Sequence, residues 1–260
     1  MSFTALSPNW QMTALFLLSL VPVCFVINWV AFRGTPEAKD PLRFLTITPV
    51  ALRRCLPSSA APRLIGRALL AWTVCICAYW LYVRLVQEFR PPKILLSYIG
   101  AIMLWLVSEA FGSLIPFLGL PSGRLLPLLH GPPPLFAKSI SDFWSRRWNM
   151  WVSEWFRQII FRPLQNRPVL ALFAVFLVSG VLHELAINVP LYIVTGRKYF
   201  GLMTLYFLLQ AVGILIERRT RNRGVRILFV WLFVFGAVPL MVNEGMLRIL
   251  HLWPGWTAII

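Results

Sequence analysis

Two short strings in this chain carry side chains able to move a proton or meet an anion. Both lie in or beside runs otherwise too apolar for such groups. In Ser179-Gly180-Val181-Leu182-His183-Glu184, a histidine and a carboxylate fall within a stretch expected to cross a membrane. An ionisable group there costs at least about 2.5 to 3.5 kcal/mol, so its presence needs a reason. A neutral imidazole takes a proton from a hydroxyl, which is the step that general-base chemistry requires. Ser179 and Gly180 sit one turn before His183 on its own helix face, and their small side chains are expected to leave a hollow beside the ring. Glu184 points about 100° away and is expected to bond to a neighbouring helix. Glu109 and Glu244 are the other acids near span interiors. The residues alone leave three readings open: a catalytic site, a proton or ion relay through His183, Glu184, Glu109 and Glu244, and polar glue between helices.

The second string is Asp142-Phe143-Trp144-Ser145-Arg146-Arg147-Trp148-Asn149. It lies in a stretch, Ser139 to Phe161, that reads as one helix too polar to span, capped at Ser141 and stopped at Arg162-Pro163. At helical spacing Trp144, Trp148, Trp151 and Trp155 share one stripe, and Asp142, Arg146, Asn149 and Ser153 share the opposite one. That pattern predicts an amphipathic interfacial helix with its tryptophans in the headgroup zone or against the bundle. A turn-rich segment with Pro127, Pro132, Pro133 and Pro134 precedes it, because proline rings remove backbone donors.

The elements that must position these groups are membrane helices. Of 260 residues 58% are hydrophobic and 13% charged, an apolar excess beyond soluble domains. Six runs are long enough to span roughly 30 Å of hydrocarbon: Met12 to Phe32, Leu64 to Val83, Ile94 to Leu120, Val169 to Val194, Tyr199 to Ile216 and Ile227 to Asn243. They are continuous rather than alternating, so the fold class expected is all-α, a polytopic bundle of about six to eight spans plus the interfacial helix. His183 then lies roughly 21 Å along its helix, deep in the membrane. The first run has no basic residue before Arg33 and reads as a retained anchor rather than a signal peptide. Residues 1–260 read as a single membrane domain, with 135–220 as its motif-bearing core.

The net charge of +16 does not point to nucleic acid, since the basic residues lie in short loops between apolar runs. Loops 33–63, 121–168 and 217–226 hold 18 of the 25 Lys and Arg residues. The positive-inside rule therefore puts these loops in the cytoplasm and the N-terminus outside. The same loops would attract anionic headgroups of the bilayer or a polyphosphate. Cys24, Cys75 and Cys77 fall in spans and Cys55 in a loop, a pattern for packing rather than disulfides.

Taken in this order, with a helix break between them, the two strings resemble the paired DFWxRRWN-like and SGxxHE-like signatures of the wax synthase branch of the membrane-bound O-acyltransferases. Tyr206 to Gln210 and Glu217 echo a later FFLLHG-like run and glutamate, with Gln210 where that branch often has histidine. The resemblance covers about 135–220. It implies transfer of an acyl group from acyl-CoA, as co-substrate, to a hydrophobic alcohol, with no resident cofactor and no metal ligand. The acceptor would be a long-chain alcohol giving a wax ester, or a terpenoid or other secondary-metabolite hydroxyl that is acetylated. Carried to matching positions, it makes His183 the base and Asn149 the second active-site residue. Asp142, Trp144, Arg146, Arg147, Trp148, Ser179, Gly180 and Glu184 become supporting or substrate-binding candidates, with Arg146 and Arg147 facing CoA phosphates or, as the alternative, Arg146 paired with Asp142 and Arg147 at lipid headgroups. The implied setting is a multi-pass membrane protein, of the endoplasmic reticulum in a eukaryote or the inner membrane in a bacterium. A proton-coupled carrier and a catalytically silent lipid-binding scaffold are the competing readings.

Overall fold

A computed structural model describes residues 6–19 and 55–254. Every regular element among them is helical; the one extended contact is an isolated bridge between Leu56 and Leu125. We number the helices α1 (8–19), α2 (Ala61–Phe89), α3 (Lys93–Gly112), α4 (Ile140–Asp142, continued by a wide π turn over Phe143–Arg147), α5 (Met150–Phe156), α6 (Pro168–Thr195), α7 (Leu202–Glu217), α8 (Arg223–Met241) and α9 (Glu244–Ile249).

Four helical stretches are long and apolar enough to cross a membrane: Ser58–Phe89, Lys93–Leu120, Pro168–Thr195 and Arg223–Met241. The chain is therefore read as an integral membrane protein. Large side chains on these helices, such as Leu69, Ile76, Trp80, Ile94 and Leu232, point away from the protein, as lipid-facing residues do. The first expected span, Met12 to Phe32, falls mostly outside the described residues, with helix over 8–19. The fifth, Tyr199 to Ile216, is shorter than expected. Its helix begins only after Gly201, whose φ of 89° is a left-handed conformation suited to glycine. Sixteen residues rise about 24 Å, less than the hydrocarbon needs. Instead α7 is the interior element: Met203, Phe207, Gln210, Ala211 and Glu217 are all almost fully buried.

The helix expected over Ser139 to Phe161 does not form as one piece. Its cap is Ser139, whose hydroxyl accepts the Asp142 N–H at 2.9 Å, rather than Ser141. After the wide turn, Trp148 is extended and Asn149 is left-handed (φ 38°, ψ 66°), and only then does α5 begin. The break ends the 100° periodicity on which a single tryptophan stripe depended. Trp151 and Trp155 are buried, while Trp144 packs on Phe176, Tyr206 and Phe207. Of the two settings expected for these rings, the headgroup zone or the bundle, they take the bundle.

Candidate functional site

His183 stands at the end of the regular part of α6, immediately before a wide π turn over Glu184–Asn188. Such single wide turns recur at functional positions. The carbonyl of Ser179, one turn back, lies 2.7 Å from His183 Nδ1. A carbonyl can only accept, so Nδ1 carries the hydrogen and the lone pair of the neutral ring is on Nε2. The imidazole packs against Phe207 of α7 with ring centroids 4.6 Å apart.

Gly180 does not line an open hollow. A Cβ there would lie 2.6 Å from the Cα of Thr204, so the missing side chain is what lets α6 and α7 meet backbone to backbone. Ser179 is buried as well. Glu184 bonds to a neighbouring helix: one carboxylate oxygen accepts the Met203 and Thr204 N–H groups at 2.9 and 3.1 Å, and the other accepts the Asn188 amide at 2.6 Å. A carboxylate at the free N–H groups of α7 satisfies donors that the helix itself cannot and complements its dipole. It thereby fixes the level of Phe207 relative to His183.

The DFWSRRWN string is held by a second set of charges. Asp142 collects the Lys138 N–H at 3.0 Å, Arg147 Nε at 2.7 Å and Arg146 Nε at 3.1 Å. Burial raises the Asp142 pKa, but these three donors outweigh it and hold the carboxyl below its ordinary value. Arg147 also donates to the Pro133 carbonyl at 2.9 Å and is buried. It is thus engaged within the protein and not turned to a phosphate or headgroup. Arg146 keeps most of its side chain exposed. From the far end of α7, Glu217 accepts the N–H groups of Ile140 and Ser141 at the start of α4. The two ends of α7 are therefore tied to the first string through Glu184 and to the turn that leads into the second through Glu217.

Asn149 lies at the break. Its Oδ1 accepts the Val152 N–H at 3.2 Å and caps α5, which leaves the carboxamide NH2 as the group to offer a substrate. No hydrogen bond joins Asn149 to His183 among the described residues. What links their surroundings is a run of rings: His183 on Phe207, Phe207 5.5 Å from Trp144, Trp144 5.0 Å from Phe143, and Phe143 stacked on Trp148 at 6.2 Å. Gln210 is fully buried, accepts the Trp144 indole N–H at 3.3 Å and donates to the Phe233 carbonyl at 2.7 Å. At this position the side chain orients Trp144.

The acids offered as relay groups have partners of their own. Glu109 pairs with Arg67 at 2.6 Å, and Glu244 sits between Arg197 and Arg248. No hydrogen bond or ion pair joins either of them to His183 among the described residues.

Sequence reasoning passed over His130. This ring is buried, its Nε2 is 2.6 Å from Ser108 Oγ, and its Nδ1 accepts the backbone N–H of Asn149 at 3.2 Å. Burial, aided by the positive charge of Arg67 and opposed by the nearby Arg147 backbone, pushes its pKa down to about 4. The signal available was an imidazole beside Gly131 at the head of the proline run, hidden because that segment read only as a turn.

Residues 126–209 match the family model of the membrane bound O-acyl transferase family. Over 125 residues the chain is 33% identical to a probable long-chain-alcohol O-fatty-acyltransferase 7 of Arabidopsis thaliana, covering 42% of this chain and 36% of that one. It is 29% identical over 189 residues to the probable enzyme 9 of the same series and organism, covering 68% and 54%. It is 37% identical over 103 residues to the Arabidopsis thaliana diacylglycerol O-acyltransferase 1, covering 38% and 20%. The chain thus spans between a fifth and about half of the length of these relatives. The segment similar to membrane-bound O-acyltransferases is the one that holds both Asn149 and His183.

Proposed function

We propose that this protein is a wax synthase-like membrane O-acyltransferase that joins the acyl group of acyl-CoA to the hydroxyl of a hydrophobic alcohol, with residues 135–220 as its catalytic core. The observation that carries the reading is the state of His183 inside the matched segment: Nδ1–H is committed to the Ser179 carbonyl, which leaves the lone pair of Nε2 to accept a proton. His183 takes the hydroxyl proton as the alcohol oxygen attacks the thioester carbon. The carbon–sulfur bond breaks, and the leaving CoA sulfur recovers that proton as the free thiol. The Asn149 NH2 donates to the thioester oxygen as it gains negative charge. Trp144, Trp148 and Phe207 supply the apolar wall that keeps water, the competing acceptor, away from the thioester. Exposed Arg146 is the cation placed to meet a CoA phosphate, whereas Asp142, Arg147, Ser179, Gly180 and Glu184 hold the frame.

The acceptor is a long-chain alcohol or a terpenoid-type hydroxyl. The protein resides in the endoplasmic reticulum or a bacterial inner membrane, with its N-terminus on the non-cytoplasmic side and the arginine-rich loops toward soluble acyl-CoA. The test is turnover by purified protein in nanodiscs over a panel of acyl-CoAs and alcohols. His183→Ala is expected to lower kcat at least about 10³-fold while remaining folded. Equal turnover by His183→Ala and wild type removes the assignment. Proton flux into liposomes without an acyl donor would favour a carrier.

A further inference from the structure

We propose that His130 is a positioning residue for Asn149: its ring, by accepting the Asn149 backbone N–H, fixes the left-handed kink that aims the Asn149 carboxamide. The inference rests on the acyltransferase reading for its kinetic consequence, but not for its structural one.

Asn149 needs such support. A non-glycine residue at φ 38° is in a sparsely occupied region, although asparagine tolerates it better than most. The kink is gripped along one side by three consecutive residues of the preceding loop. The Gly131 N–H donates to the Arg147 carbonyl at 3.0 Å, the Asn149 N–H donates to His130 Nδ1 at 3.2 Å, and the Met150 N–H donates to the Leu129 carbonyl at 2.9 Å. The central bond of the three is the only one made by a side chain, and it is made at Asn149 itself. Gly131 is required for this approach, since a Cβ there would fall 2.0 Å from the Arg146 carbonyl oxygen.

His130 is itself oriented from the membrane side. Its Nε2 meets Ser108 of α3 at 2.6 Å and its ring lies 5.1 Å from that of Trp148. Because Nδ1 receives a hydrogen from Asn149, the neutral ring must carry its own on Nε2. His130 and His183 are therefore opposite tautomers, Nε2–H and Nδ1–H. The arrangement relays the position of α3, through Ser108 and His130, to the backbone of Asn149.

The geometry selects its own controls. An asparagine side chain can place Oδ1 near the imidazole Nδ1 and keep the acceptor for the Asn149 N–H. Glutamine reaches instead toward Nε2 and keeps only the Ser108 contact. In purified, folded protein, His130→Gln and His130→Leu are expected to lower kcat about tenfold or more, with KM for acyl-CoA changed by less than about threefold. His130→Asn is expected to stay within about threefold of wild-type kcat. Nitrogen-15 spectra of ring-labelled histidine in the wild type are expected to show the signal lost in His130→Asn as a neutral Nε2–H ring. A neutral Nδ1–H ring at that signal, or equal loss of kcat in His130→Asn and His130→Gln, overturns the proposal. Absence of wild-type turnover on every acceptor would instead refute the acyltransferase reading, and the tautomer measurement would still decide the role of His130.

Discussion

Gly180→Ala separates a glycine that lets two helices touch from one that merely borders a hollow. The new Cβ would lie 2.6 Å from Thr204 Cα and 3.3 Å from Thr204 Cβ, whereas carbon atoms rest at about 3.5 to 4.0 Å. Thus α6 and α7 must part by roughly 1 Å at that level. Overpacking of this kind costs about 1 to 3 kcal/mol, while exchanging glycine for alanine in a helix returns about 0.5 to 1. A net loss of about 0 to 2.5 kcal/mol is expected in thermal unfolding. The effect on turnover should be larger than that on stability. Phe207 lies on α7 one turn beyond Thr204, and the His183 ring rests on it at 4.6 Å, so the displacement reaches the imidazole directly. Misplacement by about 1 Å costs on the order of 10²-fold in kcat. Thr204→Ala should not rescue the variant, because the nearer clash is with a backbone atom. If Gly180→Ala is more stable than wild type and turns over normally, only the propensity gain has been expressed and the contact assigned to Gly180 is wrong.

Other consequences follow from the charges around the two strings. Glu184→Gln should cost about 2 to 3 kcal/mol, because the new amide places a donor either against the Asn188 amide or against the α7 N–H groups; calorimetry in detergent measures it, and unchanged stability would refute the helix-capping role. Stability should decline from pH 6.5 toward 4, since folded His130 resists the proton that the unfolded ring accepts, and should be flat in this respect above pH 6.5. The shift sets an upper bound of about 3 kcal/mol, with Arg67 opposing protonation and Glu109 already paired to Arg67. Comparing denaturation of wild type and His130→Asn across that window isolates the contribution, and identical slopes would contradict it. Asp142→Asn should destabilise the protein by about 3 kcal/mol or more, by leaving Arg147 buried without its counter-charge; a surface-like effect below about 0.5 kcal/mol would show that Arg147 is solvated.

Much of this protein was legible in one dimension because a bilayer imposes local rules. The apolar runs around Cys75, Met103 and Phe176 had to be helices, since hydrocarbon offers no partner for an unpaired peptide group. The position of His183 within such a run marked it as costly, and so as a residue with a purpose. The spacing from Ser179 to His183 was also local information, being one helical turn. The sequence could not show that the string ending in Asn149 breaks after Arg147. Nothing in Arg147-Trp148-Asn149-Met150 forbids a helix, and the kink exists because Leu129, His130 and Gly131 grip it from a separate segment. Periodicity likewise exposes Trp151 and Trp155 on a stripe without saying whether lipid or protein covers them; tertiary packing buried them. Gly180 shows the same division, because a small residue permits either a hollow or a close approach, and only the placement of Thr204 chose between them. Helix and span are decided by interactions within a few residues, whereas the aim of Asn149 and the setting of His183 depend on contacts between distant segments that no local pattern encodes.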